Sequence, residues 1–316
     1  MNPSARQHDL SNRRHEPVSW RRGTGLVPIL AAVLALGGLW GCGERTRDMD
    51  VQMFRAHTVS QEVLIQGREA YMLYCVGCHG EKGDGQGPAA RFLQIKPRDF
   101  TKGIYKFVST AAGDLARDED LLRTINRGLH GSAMPAWNLV DQKTQMALVA
   151  YIKSFSDFYA DGEQGDALPI APDPWKFDPA SGAARGKIVF HGLATCYKCH
   201  PAYVTQDEIR EAARAMSAPV PESFPEDLYT EKVKRSETFD LDIRPPDFTR
   251  RELRNGTELA DLVRVIQSGV GGTAMPTWYG VLDPSDLWAL SHYVRGLTEL
   301  RNTPAGDSLR LSLGIR

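Results

Sequence analysis

Apolar residues recur at spacings of three and four in two acidic-started stretches of this chain, the period of a helix with one buried face. The first runs from Asp118 to Gly128 with Leu121, Leu122 and Ile125 on the stripe; the second runs from Glu258 to Gly269 with Leu259, Leu262, Val263 and Ile266. Each closes on a glycine, a usual helix stop. Two more apolar helices follow, Met146 to Phe155 with Tyr151 and Leu287 to Leu297 with Tyr293. Upstream, Gly67-Arg68-Glu69-Ala70-Tyr71 and Gly186-Lys187-Ile188-Val189-Phe190 read as glycine-led helices with an aromatic on the inner face. Met72 and Met146 read as core filler, the ordinary role of methionine.

These elements come twice in the same order. Pro97-Arg98-Asp99-Phe100-Thr101 answers to Pro245-Pro246-Asp247-Phe248-Thr249, and Gly131-Ser132-Ala133-Met134-Pro135-Ala136-Trp137 to Gly272-Thr273-Ala274-Met275-Pro276-Thr277-Trp278. The order predicts a tandem duplication of one module. Its copies span 61–156 and 185–302, joined by a linker, 157–184, with four prolines, and followed by a loose tail, 303–316. The copies are unequal. His79 and Pro97 lie 18 residues apart, but His200 and Pro245 lie 45 apart, so copy two carries an insertion at about 201–244. That insertion includes an amphipathic candidate, Gln206 to Met216.

A different pattern opens the chain. Residues 1–25 hold Arg13-Arg14 and Arg21-Arg22, and an unbroken run from Leu26 to Trp40 follows, apolar but for one proline and two glycines. A positive flank before a short apolar core reads as a bacterial export signal, 1–41, too short for a membrane span. Leu39-Trp40-Gly41-Cys42 is similar to a lipobox, in which Cys42 is lipidated and begins the mature chain; 42–60 is then a polar tether. An uncleaved N-terminal anchor and a soluble secreted product are the other readings. All three put the folded part outside the cytoplasm, on the periplasmic side of a bacterial membrane. Over the whole chain the composition, 42% hydrophobic and 24% charged, is that of a soluble globular protein, and a net charge of −1 argues against a nucleic-acid partner.

Four of the five cysteines stand in Cys75-Val76-Gly77-Cys78-His79 and Cys196-Tyr197-Lys198-Cys199-His200. This C-x-x-C-H spacing is that of covalent c-type haem attachment. Each thiol adds across a vinyl group, and the histidine that follows is held under the iron. A thioredoxin-like pair needs no such histidine, and a zinc ribbon wants its pairs within one small module. His79 and His200 are therefore read as proximal ligands. Met134 and Met275 are read as the ligands on the other iron face, each in a glycine-rich approach followed by proline, and a Met/His pair raises the reduction potential. His57, His130, His191 and His292 read as structural or exposed. A carbonyl near Pro88 is expected to orient His79, and the partner of His200 is left open. Arg98, Lys106 and Arg250 face either haem propionates or solvent. Trp137 and Trp278 pack at the haem edge or fill core.

From Gly67 to Arg301 the chain resembles two fused class I cytochrome c domains, as in dihaem cytochrome c subunits, including subunit III of cbb3-type oxidases. The resemblance implies a mostly α fold, each domain a small helical bundle with crossing terminal helices around one covalent haem. It implies two haem c groups and one-electron transfer between a donor and an acceptor protein, without an enzymatic reaction of its own. A membrane anchor would make the chain a fixed subunit of a respiratory oxidase or reductase complex. Two rivals, a dihaem peroxidase and a gas-binding sensor, need an open iron site, which the repeated methionine argues against.

Overall fold

The computed structural model describes residues 59–315. The export segment, Cys42, His57 and nearly all of the tether lie outside them. Each half begins with a helix that its caps define. Ser60 accepts from the Val63 amide at the start of α1 (Gln61–Tyr74), and the four-residue α2 (Val76–His79) follows after Cys75. In α3 (Asp118–Arg127) three acidic residues fill the first turn, where the helix dipole favours negative charge. Asp141 caps α4 (Gln142–Lys153), so this helix starts four residues before the expected Met146. After the short α5 (Phe158–Asp161), α6 (Pro179–Ile188) opens the second half on Asp178 with proline at its first position. The insertion holds α7 (Gln206–Ala215), started by a Thr205/Glu208 capping box, and a small hairpin of β1 (Lys234–Ser236) and β2 (Leu241–Ile243). Then come α8 (Leu259–Ser268), α9 (Pro284–Glu299) and α10 (Pro304–Leu313). The fold is mostly helical, as expected. Among the described residues no helix is long and apolar enough to cross a membrane.

The first and last helices of each half cross at a glycine. A Cβ on Gly67 of α1 would lie 2.1 Å from the Ala147 carbonyl oxygen of α4, and one on Gly186 of α6 would lie 2.0 Å from that of Ala289 in α9. Tyr151 and Tyr293, each four residues further on, pack against the same two glycines. Each crossing closes an apolar core. One gathers Tyr71, Leu121, Ile125, Leu148 and Ile152; the other gathers Phe190, Tyr203, Leu262, Trp288 and Leu290. Both belong to one compact body.

Several expectations need correction. Met72 and Met146 are 40% and 57% exposed, so neither is core filler. The 157–184 segment is pinned rather than free: the Trp288 indole donates to Ala171 O at 2.8 Å, His292 pairs with Asp173 at 2.9 Å, and α6 starts inside it. The residues from Thr303 are no loose tail. Thr303 caps α10, Arg310 donates to Thr249 O at 2.9 Å, and Ile315 is 7% exposed, because the end of the chain carries an apolar stripe that the second core can cover.

Candidate functional site

In the first half Cys75 both ends α1 and starts α2, with its amide donating to Tyr71 O. One turn later the His79 amide donates back to Cys75 O at 2.9 Å, which puts both thiols and the imidazole on a single turn. The His79 ring stacks on Phe100 at 4.4 Å, and its Nδ1 lies 3.1 Å from Arg98 O. A carbonyl only accepts, so Nδ1 carries the proton and the Nε2 lone pair is free for a metal. The second half repeats this arrangement. The His200 amide donates to Cys196 O at 2.9 Å, the ring stacks on Phe248 at 4.7 Å, and Nδ1 donates to Pro246 O at 2.9 Å. Arg98 and Pro246 hold the same place in the repeated Pro-x-Asp-Phe-Thr motif. The carbonyl expected near Pro88 is therefore supplied ten residues later, and the unassigned partner of His200 is its counterpart. The signal in the sequence was the repeated motif itself, which lies at different distances from its two histidines, 18 and 45 residues.

Burial sets the protonation of these groups. It pushes the Cys75 and Cys196 thiols up to about 12, and it brings His200 down to about 4 and His79 below its ordinary value. None of the four described cysteines is in a disulfide.

Met134 and Met275 sit in matching turns. The Met134 amide donates to the Ser132 hydroxyl at 3.2 Å and its carbonyl accepts from Leu129 N; the Met275 amide donates to the Thr273 hydroxyl at 3.1 Å and its carbonyl accepts from Val270 N. Gly128 and Gly269, both at positive φ, let this turn fold back: a Cβ there would lie 2.5 Å from Pro135 C and 2.7 Å from Pro276 C. Both methionines are half-buried. Trp137 and Trp278 pack on the edges of their respective cores. Of the other histidines, His130 is exposed, while His191 is 1% and His292 is 7% exposed.

The two halves meet through the Met turns with near two-fold symmetry. Gly271 N donates to Lys106 O, and His130 N donates to Arg254 O, both at 3.1 Å. Lys106 and Arg254 occupy equivalent positions, six residues after Phe100 and Phe248. Burial lowers Arg98 to about 10 and Lys106 to about 8, with Arg98 and Arg254 adding repulsion at Lys106. Arg254 is lowered by burial too. None of the three forms an ion pair among the described residues, and the Arg98 guanidinium lies 3.9 Å over the Phe239 ring. Beside Arg98, the Tyr105 hydroxyl is buried without a partner. Unpaired cations and an orphaned hydroxyl call for anionic acceptors, which is what haem carboxylates would supply, so the residues present fit the group. Arg250, read as facing either haem propionates or solvent, is exposed. Arg254 is the cation that burial perturbs in the second half, and sequence reasoning missed it.

Residues 63–152 match the family model described as cytochrome c oxidase, cbb3-type, subunit III. No curated protein is matched by the sequence. Among solved structures, a chain of a reducing HAO-like protein complex of Kuenenia stuttgartiensis is similar at 29% identity and a TM-score of 0.61, covering 73% of this chain and 95% of that one.

Proposed function

Proceeding from a c-type cytochrome, we propose that this chain carries single electrons between protein partners by way of two covalently bound haem c groups. The carrying observation is the doubled site: two C-x-x-C-H turns, each with its histidine ring set by a carbonyl at Nδ1, and two Met turns with matching hydrogen bonds. Cys75, Cys78, Cys196 and Cys199 hold the groups; His79 with Met134, and His200 with Met275, supply the axial ligands. When bound, haem supplies one-electron redox chemistry; the protein supplies ligation, burial and spacing. The carbonyls of Arg98 and Pro246 fix each ring and raise its basicity as a ligand. Arg98, Lys106 and Arg254 would neutralise haem carboxylates near the junction of the halves, and the Tyr105 hydroxyl would donate to one. The methionine repeated in the same context in both halves favours a carrier over a dihaem peroxidase or a gas sensor, each of which needs an open iron site.

The likeness to a chain of a protein complex supports a role with fixed redox partners. The N-terminal pattern supports placement on the periplasmic side of a membrane, held by a lipid on Cys42. The test is spectroscopic. The holoprotein should contain two haems per chain, both low-spin, with a sulfur-to-iron charge-transfer band and no carbon monoxide binding when reduced. Met134→Leu and Met275→Leu should each open one iron and lower one of two midpoint potentials. A single haem per chain, peroxide turnover by the unaltered protein, or spectra unchanged in both variants would overturn the proposal.

A further inference from the structure

The carbonyls at the end of a C-x-x-C-H turn need donors, since buried backbone acceptors left unpaired are costly. In the first half the glycine-rich loop provides them from its own backbone: Gly85 N donates to His79 O, Gly87 N to Cys78 O and Ala89 N to Gly77 O. In the second half Pro201 follows His200 directly and no such loop exists. There the donor is a side chain from the insertion. Lys232 Nζ donates to Tyr197 O at 3.1 Å, to Asp227 O at 2.9 Å and to His200 O at 3.4 Å. Its side chain is 3% exposed, and the nearest carboxylate oxygen, Asp227 Oδ1, is 3.9 Å away on a residue half open to solvent.

The two solutions are alike as hydrogen bonding and unlike as electrostatics. The glycine loop is neutral, whereas Lys232 brings a whole positive charge against the backbone of the ligand histidine. We propose that Lys232 is a positioning residue that raises the reduction potential at the His200 site, and that the 201–244 insertion serves to deliver it. Reduction there adds one electron with no bond made or broken and removes one unit of positive charge, so a buried ammonium favours the reduced state. Asp247, fully buried and next to the Pro246 whose carbonyl accepts from His200, acts with the opposite sign. Single-charge changes separate the two.

The proposal rests on the reading of Cys196–His200 as a haem site, and its test separates the two questions. Redox titration of the full-length holoprotein should resolve two midpoints. Lys232→Met should lower one of them by at least a tenfold change in the redox equilibrium, about 59 mV for a one-electron couple, and leave the other in place. Lys232→Arg, which keeps the charge, should restore it. Asp227→Asn, a milder change on an exposed residue, should move the same midpoint upward and decides the matter if Lys232→Met fails to fold. Two low-spin haems with neither midpoint displaced by Lys232→Met or Asp227→Asn would reduce Lys232 to a structural cap and overturn this proposal alone. The loss of one haem from the unaltered protein would overturn the reading beneath it.

Discussion

The first and second C-x-x-C-H turns hold their histidines alike and finish themselves differently. In both, Nδ1 is tied to the carbonyl just before an Asp-Phe-Thr sequence, and the ring lies on the phenylalanine that follows. Beyond that point one uses glycines at positive φ, Gly80, Gly83 and Gly85, to curl its own backbone over the turn. The other recruits Lys232 from an insertion. What stays the same is the orientation of the ligand ring, which fixes the free nitrogen; what varies is the local charge. The comparison separates the part of the module that builds a site from the part that adjusts it.

The largest effects should come from what the halves share. Gly67→Ala and Gly186→Ala each put a Cβ on a helix backbone about 2 Å away, which no rotamer can relieve. The helices must separate, at a cost of about 3 kcal/mol or more for a strain of this kind. Thermal unfolding of the two variants should show comparable losses. A half that tolerates alanine at its crossing would break the claim that both rest on one architecture.

A smaller effect should appear in one half only. Position 72 in the first half is an exposed methionine; its counterpart, His191, is buried. His191 Nδ1 donates to Lys187 O at 2.8 Å and its Nε2 accepts from Tyr203 N at 3.3 Å. Burial lowers its pKa from 6.5 to about 4, with Lys187 adding repulsion and Glu208 attraction, and the Tyr293 ring lies against it. A histidine depressed in the folded state is neutral there, so its contribution is full above about pH 6.5 and is lost as pH falls toward 4. The difference amounts to roughly 3 kcal/mol. In the holoprotein, melting temperature should therefore fall on acidification through this window, and His191→Gln should flatten the fall. An unchanged slope in that variant would place the acid sensitivity elsewhere.

Much of this was legible in the sequence. The period-3.6 stripes place α3 and α8 within one residue of their observed ends, because acidic residues at the start and glycines at the end mark them. The doubled order of motifs predicts two modules in one chain; the described residues show two apolar cores within one compact body. What was not legible depends on long-range pairing. Lys232 is one of three basic residues in a polar stretch, with Lys234 and Arg235, until folding brings it under Tyr197 and His200. Arg254 looks no different from the exposed Arg250 until the first half covers it. The end of the chain looked loose because a short amphipathic segment has meaning only beside the surface it covers.

The smallest expected effect concerns the pairing of the halves. The hydrogen bonds from Gly271 to Lys106 and from His130 to Arg254 are matched, but the ion pair beside them is not. Arg127 clasps Asp261 with contacts of 2.7 and 2.9 Å. The symmetric position to Arg127 is Ser268. That of Asp261 is Asp120, which instead accepts from Ser109 and Arg117 within its own half. Arg127 is 39% exposed, so water screens the attraction, and Asp261 keeps Arg264 at 3.5 Å if Arg127 is removed. Arg127→Gln should therefore cost about 1 kcal/mol or less in chemical denaturation, and less still at high salt. A loss several times larger would mean that this one-sided pair, and not the matched backbone bonds, joins the two halves, and that their junction is less symmetric than its hydrogen bonds indicate.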